Sequence, residues 1–109
     1  MKLMIAIVNK KDSRNVCDAL RDDGLFFTKV STSGGFLRDG NDTLLLGLED
    51  ELVDKAIAII KKHSAKRMEL VPDMPSSDGS FNAFTKIGAE VVVGGATVFV
   101  TDVEKFEKI

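Results

Sequence analysis

The chain has 109 residues and a mass of 11.9 kDa, which leaves room for one hydrophobic core and not two. Hydrophobic residues make up 44% and charged residues 29%, a globular balance that excludes a disordered chain. Fifteen basic residues against seventeen acidic ones leave a net charge of -2, so no unspecific attraction to a nucleic-acid backbone is built in.

Met1 to Val8 is a continuous apolar run, the pattern of a central strand covered on both faces. It is short for an export signal, and Asn9-Lys10-Lys11-Asp12 stands where small cleavage-site residues belong. A cytoplasmic location is therefore expected. No apolar run approaches the roughly 20 residues that span a bilayer, so no membrane association is expected either. Asp12-Ser13 offers the cap of a first helix carrying Val16, Cys17, Ala19 and Leu20, and Gly24 lies where that helix should stop. Leu25 to Thr32 reads as a second strand. Gly34 to Asn41 interrupts it, and Thr43 to Leu48 resumes as a third. Asp50 is placed to cap a second helix with an apolar stripe of Leu52, Val53, Ala56, Ile57, Ile59 and Ile60. Lys61, Lys62 and His63 then suit the negative end of its dipole. Met68 to Val71 is a short strand. Pro72 to Lys86 is long and polar for a loop in so small a domain, and such loops carry function. Glu90 to Val93 and Thr97 to Val103 read as strands around Gly94-Gly95.

The order β-α-β-β-α-β, with extras near the end, predicts an α+β, ferredoxin-like sandwich: one antiparallel sheet with both helices on one face. Residues 1–109 form a single domain on this reading. The other face keeps apolar side chains from Ile5, Ile7, Val91, Val93 and Val98 or their alternates, and a contiguous wet patch of that kind favours oligomerisation.

Chemistry concentrates between the second and third strands. Gly34-Gly35 permits close approach of an anion to backbone N–H groups, Phe36 offers a stacking face, and Asn41 can read a base edge. An ordinary glycine-rich hairpin fits the same residues, since glycine pairs alone are weak motifs. Gly94-Gly95 reads as a bend or bulge in preference to a second phosphate turn. Cys17 is the single cysteine, which excludes an internal disulfide or a thiolate metal cluster, and it falls on the apolar face of the first helix as a buried structural thiol. His63 has no nucleophile at a recognisable spacing. Lys61-Lys62 and Lys66-Arg67 read as a solvated face.

Thr28-Lys29, Thr32-Ser33-Gly34-Gly35-Phe36-Leu37-Arg38, Gly40-Asn41 and Val93-Gly94-Gly95-Ala96-Thr97-Val98-Phe99-Val100, with Met1 to Val8 and Asp12-Ser13, resemble the PII-like cyclic di-AMP receptors of Gram-positive bacteria. The resemblance implies a homotrimer that binds cyclic di-AMP in clefts between subunits and signals to a downstream protein through two loops. Gly34–Asn41 would be the smaller T-loop and Pro72–Lys86 the larger B-loop. It implies no catalytic residue, no metal and no cofactor. By the same resemblance Thr28 contacts phosphate, while Gly35, Phe36, Leu37 and Asn41 hold adenine. Gly47 lets the base lie against strand three, and Phe99 lines the wall between subunits. Phe26 stands where a basic residue is usual and Lys108 where a glutamine is usual. Lys108 is expected to meet the ligand from the tail. The loop around Ser76-Ser77-Asp78-Gly79 lacks a Met-Gly-Gly signature.

Other readings of the same fold are a module for another adenine nucleotide and a small acylphosphatase-like hydrolase using Arg38 and Asn41. The hydrolase would need a positioned water, and no separate acid or base accompanies those two residues. An RNA-binding sheet is a third, but Thr43 to Leu48 lacks the aromatic pair that stacks bases, so no nucleic-acid polymer is expected as a partner.

Overall fold

The structure, a computed structural model, describes residues 1–34, 37–71 and 89–109. Its elements run β1 (Lys2–Asn9), α1 (Lys10–Asp22), β2 (Thr28–Gly34), β3 (Leu37–Leu48), a 3-10 turn at Asp50–Leu52, α2 (Val53–Ser64), β4 (Arg67–Val71), β5 (Ala89–Val93) and β6 (Ala96–Asp102). Four strands form one antiparallel sheet in the order β2-β3-β1-β6, and β4 pairs with β5 as a separate two-stranded hairpin. Both helices pack on one face of the larger sheet. This is the ferredoxin-like arrangement, with β6 as its closing strand and β4–β5 inserted between α2 and β6.

The alternation of β1 sets the layers. Met4, Ala6 and Val8 are buried under the helices beside Leu44, Leu46 and Leu48 of β3, and Val16, Leu20, Ala56 and Ile60 cover them from α1 and α2. Burying a side chain such as Leu46 or Ile60 contributes about 1.5–3 kcal/mol relative to leaving it in water. Leu3, Ile5 and Ile7, on the opposite face of β1, are only partly buried. The apolar run that predicted a strand covered on both sides is thus covered on one.

Helix α1 begins earlier than Asp12-Ser13 would place it. Asn9 is the cap, its side-chain oxygen accepting from the Lys11 N–H at 2.8 Å. Its end follows the expected pattern: Gly24 takes φ 74°, and the Gly24 and Leu25 N–H groups donate to Arg21 and Leu20 carbonyls, each at 2.9 Å. Asp50 caps nothing. It starts the 3-10 turn, and Leu52 enters α2 with no side-chain cap. Strand β2 starts at Thr28, not Leu25, because its ladder with β3 begins at the Thr28–Leu45 pair, while Leu25 is buried in the core.

The third strand starts at Leu37 instead of Thr43, so most of the expected break is ladder. Thr32 pairs with Asn41, and Gly34 pairs with Leu37 across a register shift. Gly35 and Phe36 lie outside the described residues, as do Pro72 to Lys86.

The open face also differs in membership. Val98 stands opposite Ala6 and packs on the helix-side core, while Val91 and Val93 belong to the β4–β5 hairpin. Ile5 and Ile7 are joined on that face by Leu3, Leu45, Val30 and Phe99. Period-2 alternation named two sides of each strand, and the pairing register chose between them.

Candidate functional site

Register assembles the open face in rows. Thr28 lies opposite Leu45, Leu45 opposite Ile5, and Ile5 opposite Phe99, so one row crosses all four strands. One step along, Val30, Thr43, Ile7 and Thr97 form the next row; beyond it Asn41 stands between Asn9 and Thr32. Gly47, opposite Leu3, lies on the same face toward the other end. Of the residues expected at a ligand, Thr28, Asn41, Gly47 and Phe99 therefore share one surface. Leu37 opens β3 at the hairpin end, and Lys108 is exposed in the tail beyond β6, apart from that row. Phe99 is 56% exposed and Phe26 is 87% exposed.

Gly47 carries a further signal. A Cβ built on it would meet nothing within 4 Å among the described residues. The subunit's own packing does not require glycine there.

Asn41 and the second glycine pair, far apart in sequence, line one cleft of about 260 Å³ with Ile7, Lys66, Ala96 and Thr97. Gly94 and Gly95 both have positive φ, 82° and 90°, as the turn from β5 to β6. The Gly95 N–H donates to the Ser64 carbonyl at the end of α2, so this pair is a bend with its amide already used. Lys66, read from sequence as solvated, lies along Gly95: a Cβ there would come 2.9 Å from Lys66 Cγ. It stays exposed, as its reading as a solvated residue expected, while its stem lines the cleft.

Beneath the site are two buried acids that local pattern had assigned to capping or left unremarked. Asp12 is 3% exposed and bonded by Arg67 at 2.8 and 3.2 Å. Asp42 is buried on the helix side of β3, and its Oδ1 has no hydrogen-bond partner among the described residues. Burial opposes ionisation of Asp42, but the facing Ser13 and Ser31 hydroxyls and the Lys29 and Lys10 charges outweigh it and hold its pKa below the usual carboxylate value. A depressed folded-state pKa stabilises the fold fully above the unfolded value, about 3.9, and that contribution is lost as pH falls through the folded value. Asp42→Asn should accordingly cost about 1–3 kcal/mol at neutral pH, and the deficit against the parent should shrink at pH 3. Urea unfolding at both pH values and one protein concentration is the measurement; an equal deficit at both would assign the effect to packing.

Cys17 is buried, its sulfur 4.0 Å from the Ser13 hydroxyl, as a structural thiol. Among the described residues no group of His, Cys, Asp and Glu side chains could hold a metal ion, and no helix is long and apolar enough to cross a membrane.

A ferredoxin-like domain thus presents, on the sheet face its helices leave uncovered, Thr28, Asn41, Gly47 and the exposed Phe99 together. The sequence model of one family, described as cyclic-di-AMP receptor, matches residues 1–109, and the chain belongs to that family. Among solved structures it is similar to a protein from Pediococcus pentosaceus ATCC 25745, described as functionally unknown. The two share 41% identity over 99% of this chain and 96% of that one, with a TM-score of 0.77.

Proposed function

We propose that this chain is a signal receptor that binds cyclic di-AMP and passes the signal to a downstream protein. It works as a homotrimer closed through the open sheet face, with the ligand in the clefts between neighbouring subunits. Thr28 contacts phosphate; Gly35, Phe36, Leu37 and Asn41 take one adenine; Gly47 gives the base room to lie flat; Phe99 forms the wall from the adjacent copy. Occupancy changes the segments 34–41 and 72–86, and the downstream protein reads the changed surface.

The observation that carries this reading is Gly47. The chain's own packing leaves room for a side chain there, so it does not itself demand glycine, and Gly47 lies on the same face as Thr28, Asn41 and Phe99. Family membership supplies the identity of the ligand. With Phe26 in place of a basic side chain, counter-charge for the phosphates falls to Lys108 from the tail and to Lys66 beside Asn41. Lysines are flexible point charges, so binding should weaken with salt.

Calorimetry with cyclic di-AMP, cyclic di-GMP, ATP and AMP, with product analysis of each mixture, tests the proposal. The expected result is saturable binding of cyclic di-AMP at one site per subunit, weaker binding of the others, and no turnover. Preference for ATP or AMP would point to the broader adenine-nucleotide module, and phosphate release would replace a receptor with a hydrolase.

A further inference from the structure

The first turn of α1 touches the roots of both hairpins. On one side the Lys10 chain lies against Gly40 of β3: a Cβ built on Gly40 would come 3.1 Å from Lys10 Cδ, and Gly40 has φ 68°. Ser13, three residues on, faces Asp42, the neighbour of Asn41. On the other side Asp12 receives the Arg67 guanidinium at 2.8 and 3.2 Å, and Arg67 is the first residue of β4.

The second contact is tightly built. Arg67 pairs in register with Val93, the last residue of β5, and Gly94 follows. A Cβ on Gly94 would stand 2.8 Å from both Arg67 Nη1 and the Ala65 carbonyl, and 3.1 Å from Asp12 Oδ2. With φ 82° as well, position 94 admits glycine alone without strain. A carboxylate this deeply buried is strongly unfavourable without its cation, and the two-pronged guanidinium contact fixes orientation as well as distance. The roots of β4 and β5, and the Gly94–Gly95 wall of the Asn41 cleft, cannot shift against α1 without breaking it.

We propose that Asp12 is a positioning residue that couples the Asn41 cleft to the β4–β5 hairpin. It holds the hairpin root through Arg67, while its neighbours Lys10 and Ser13 hold the Gly40–Asp42 segment, so a displacement at either root is felt at the other. Asp12 acts through Arg67, not on the ligand. The ligand-linked half of this proposal rests on the cyclic di-AMP reading above; the coupling within the subunit does not.

The test is amide hydrogen exchange on the full chain, with and without cyclic di-AMP, in the parent, Asp12→Asn and Arg67→Lys. In the absence of ligand, Asp12→Asn should raise exchange about tenfold in Arg67–Val71 and Ala89–Val93 and also at Asn41 and Asp42, while Met4–Ala6 in the sheet centre stay protected. Arg67→Lys, which keeps the charge and loses the fork, should fall between the two. Calorimetry should show cyclic di-AMP bound about tenfold more weakly by Asp12→Asn, with partial recovery in Arg67→Lys. Faster exchange confined to β4–β5, or unchanged binding by Asp12→Asn beside a binding parent, would reduce the pair to a structural tie and overturn the proposal. Loss of protection in every strand, with Arg67→Lys indistinguishable from the parent, would overturn it also. A parent that binds no cyclic di-AMP would defeat the functional reading, and exchange at Asn41 would still decide the coupling.

Discussion

Leu45→Asp should give a folded chain that sediments as a single subunit. Leu45 sits mid-face between Thr28 and Ile5 and is 37% exposed, so an aspartate there stays solvated and the fold has little to lose. If copies close on each other through this face, the same carboxylate enters an apolar interface once per subunit. An unpaired buried charge costs several kcal/mol, and a trimer would carry three, enough to reduce assembly by several orders of magnitude. Leu46→Asp is the matching control. One residue along, it points into the helix-side core at 0% exposure and should unfold the chain. Sedimentation equilibrium with far-ultraviolet circular dichroism reads both results. Normal assembly of Leu45→Asp would remove the open face from the interface and with it the inter-subunit cleft.

A second large effect is expected at Gly47. Gly47→Val adds a β-branched side chain to a strand interior, where it meets nothing within 4 Å among the described residues. The subunit should be as stable as the parent or more so by up to about 1 kcal/mol, since glycine is poor in strands. Cyclic di-AMP affinity should fall about 10- to 100-fold, the expected consequence of forcing methyl groups into a packed contact. Asn41→Ala tests the neighbouring role, because losing base-edge hydrogen bonds should erode preference for adenine over guanine. Denaturant melts, sedimentation and calorimetry on the same preparations separate the effects. If Gly47→Val binds like the parent while keeping its assembly, the flat spot does not face the base.

The two predictions draw on different kinds of information. Gly47 and Asn41 stand out in the sequence because they belong to a spaced set with Thr28, Phe36 and Phe99, recognisable as a family pattern. Leu45 does not stand out at all. Within Thr43 to Leu48 it is one of four leucines, and no local feature separates it from Leu44 or Leu46, which are buried. Lys66 is solvated as its neighbouring cations suggested, but that its stem lines a cleft depends on the β5–β6 turn, which lies far along the chain.

What the sequence by itself determined is what neighbouring residues decide together. The β-α-β-β-α-β order, the Gly24 helix end and the buried face of α1 depend on backbone preference and on periodicity over a few residues. The tertiary structure decided what depends on partners far along the chain. Strand β3 runs back to Leu37, through a segment whose glycines argued for a loop, because β2 supplies ladder hydrogen bonds that outweigh weak local propensity. Val98 turned inward and Phe99 outward because the pairing of β6 with β1 assigns the two faces. From sequence Asp12 reads as a cap, a place that Asn9 takes, and its actual partner stands 55 residues away. A buried carboxylate must find a cation wherever the fold places one, and sequence spacing carries no record of that distance.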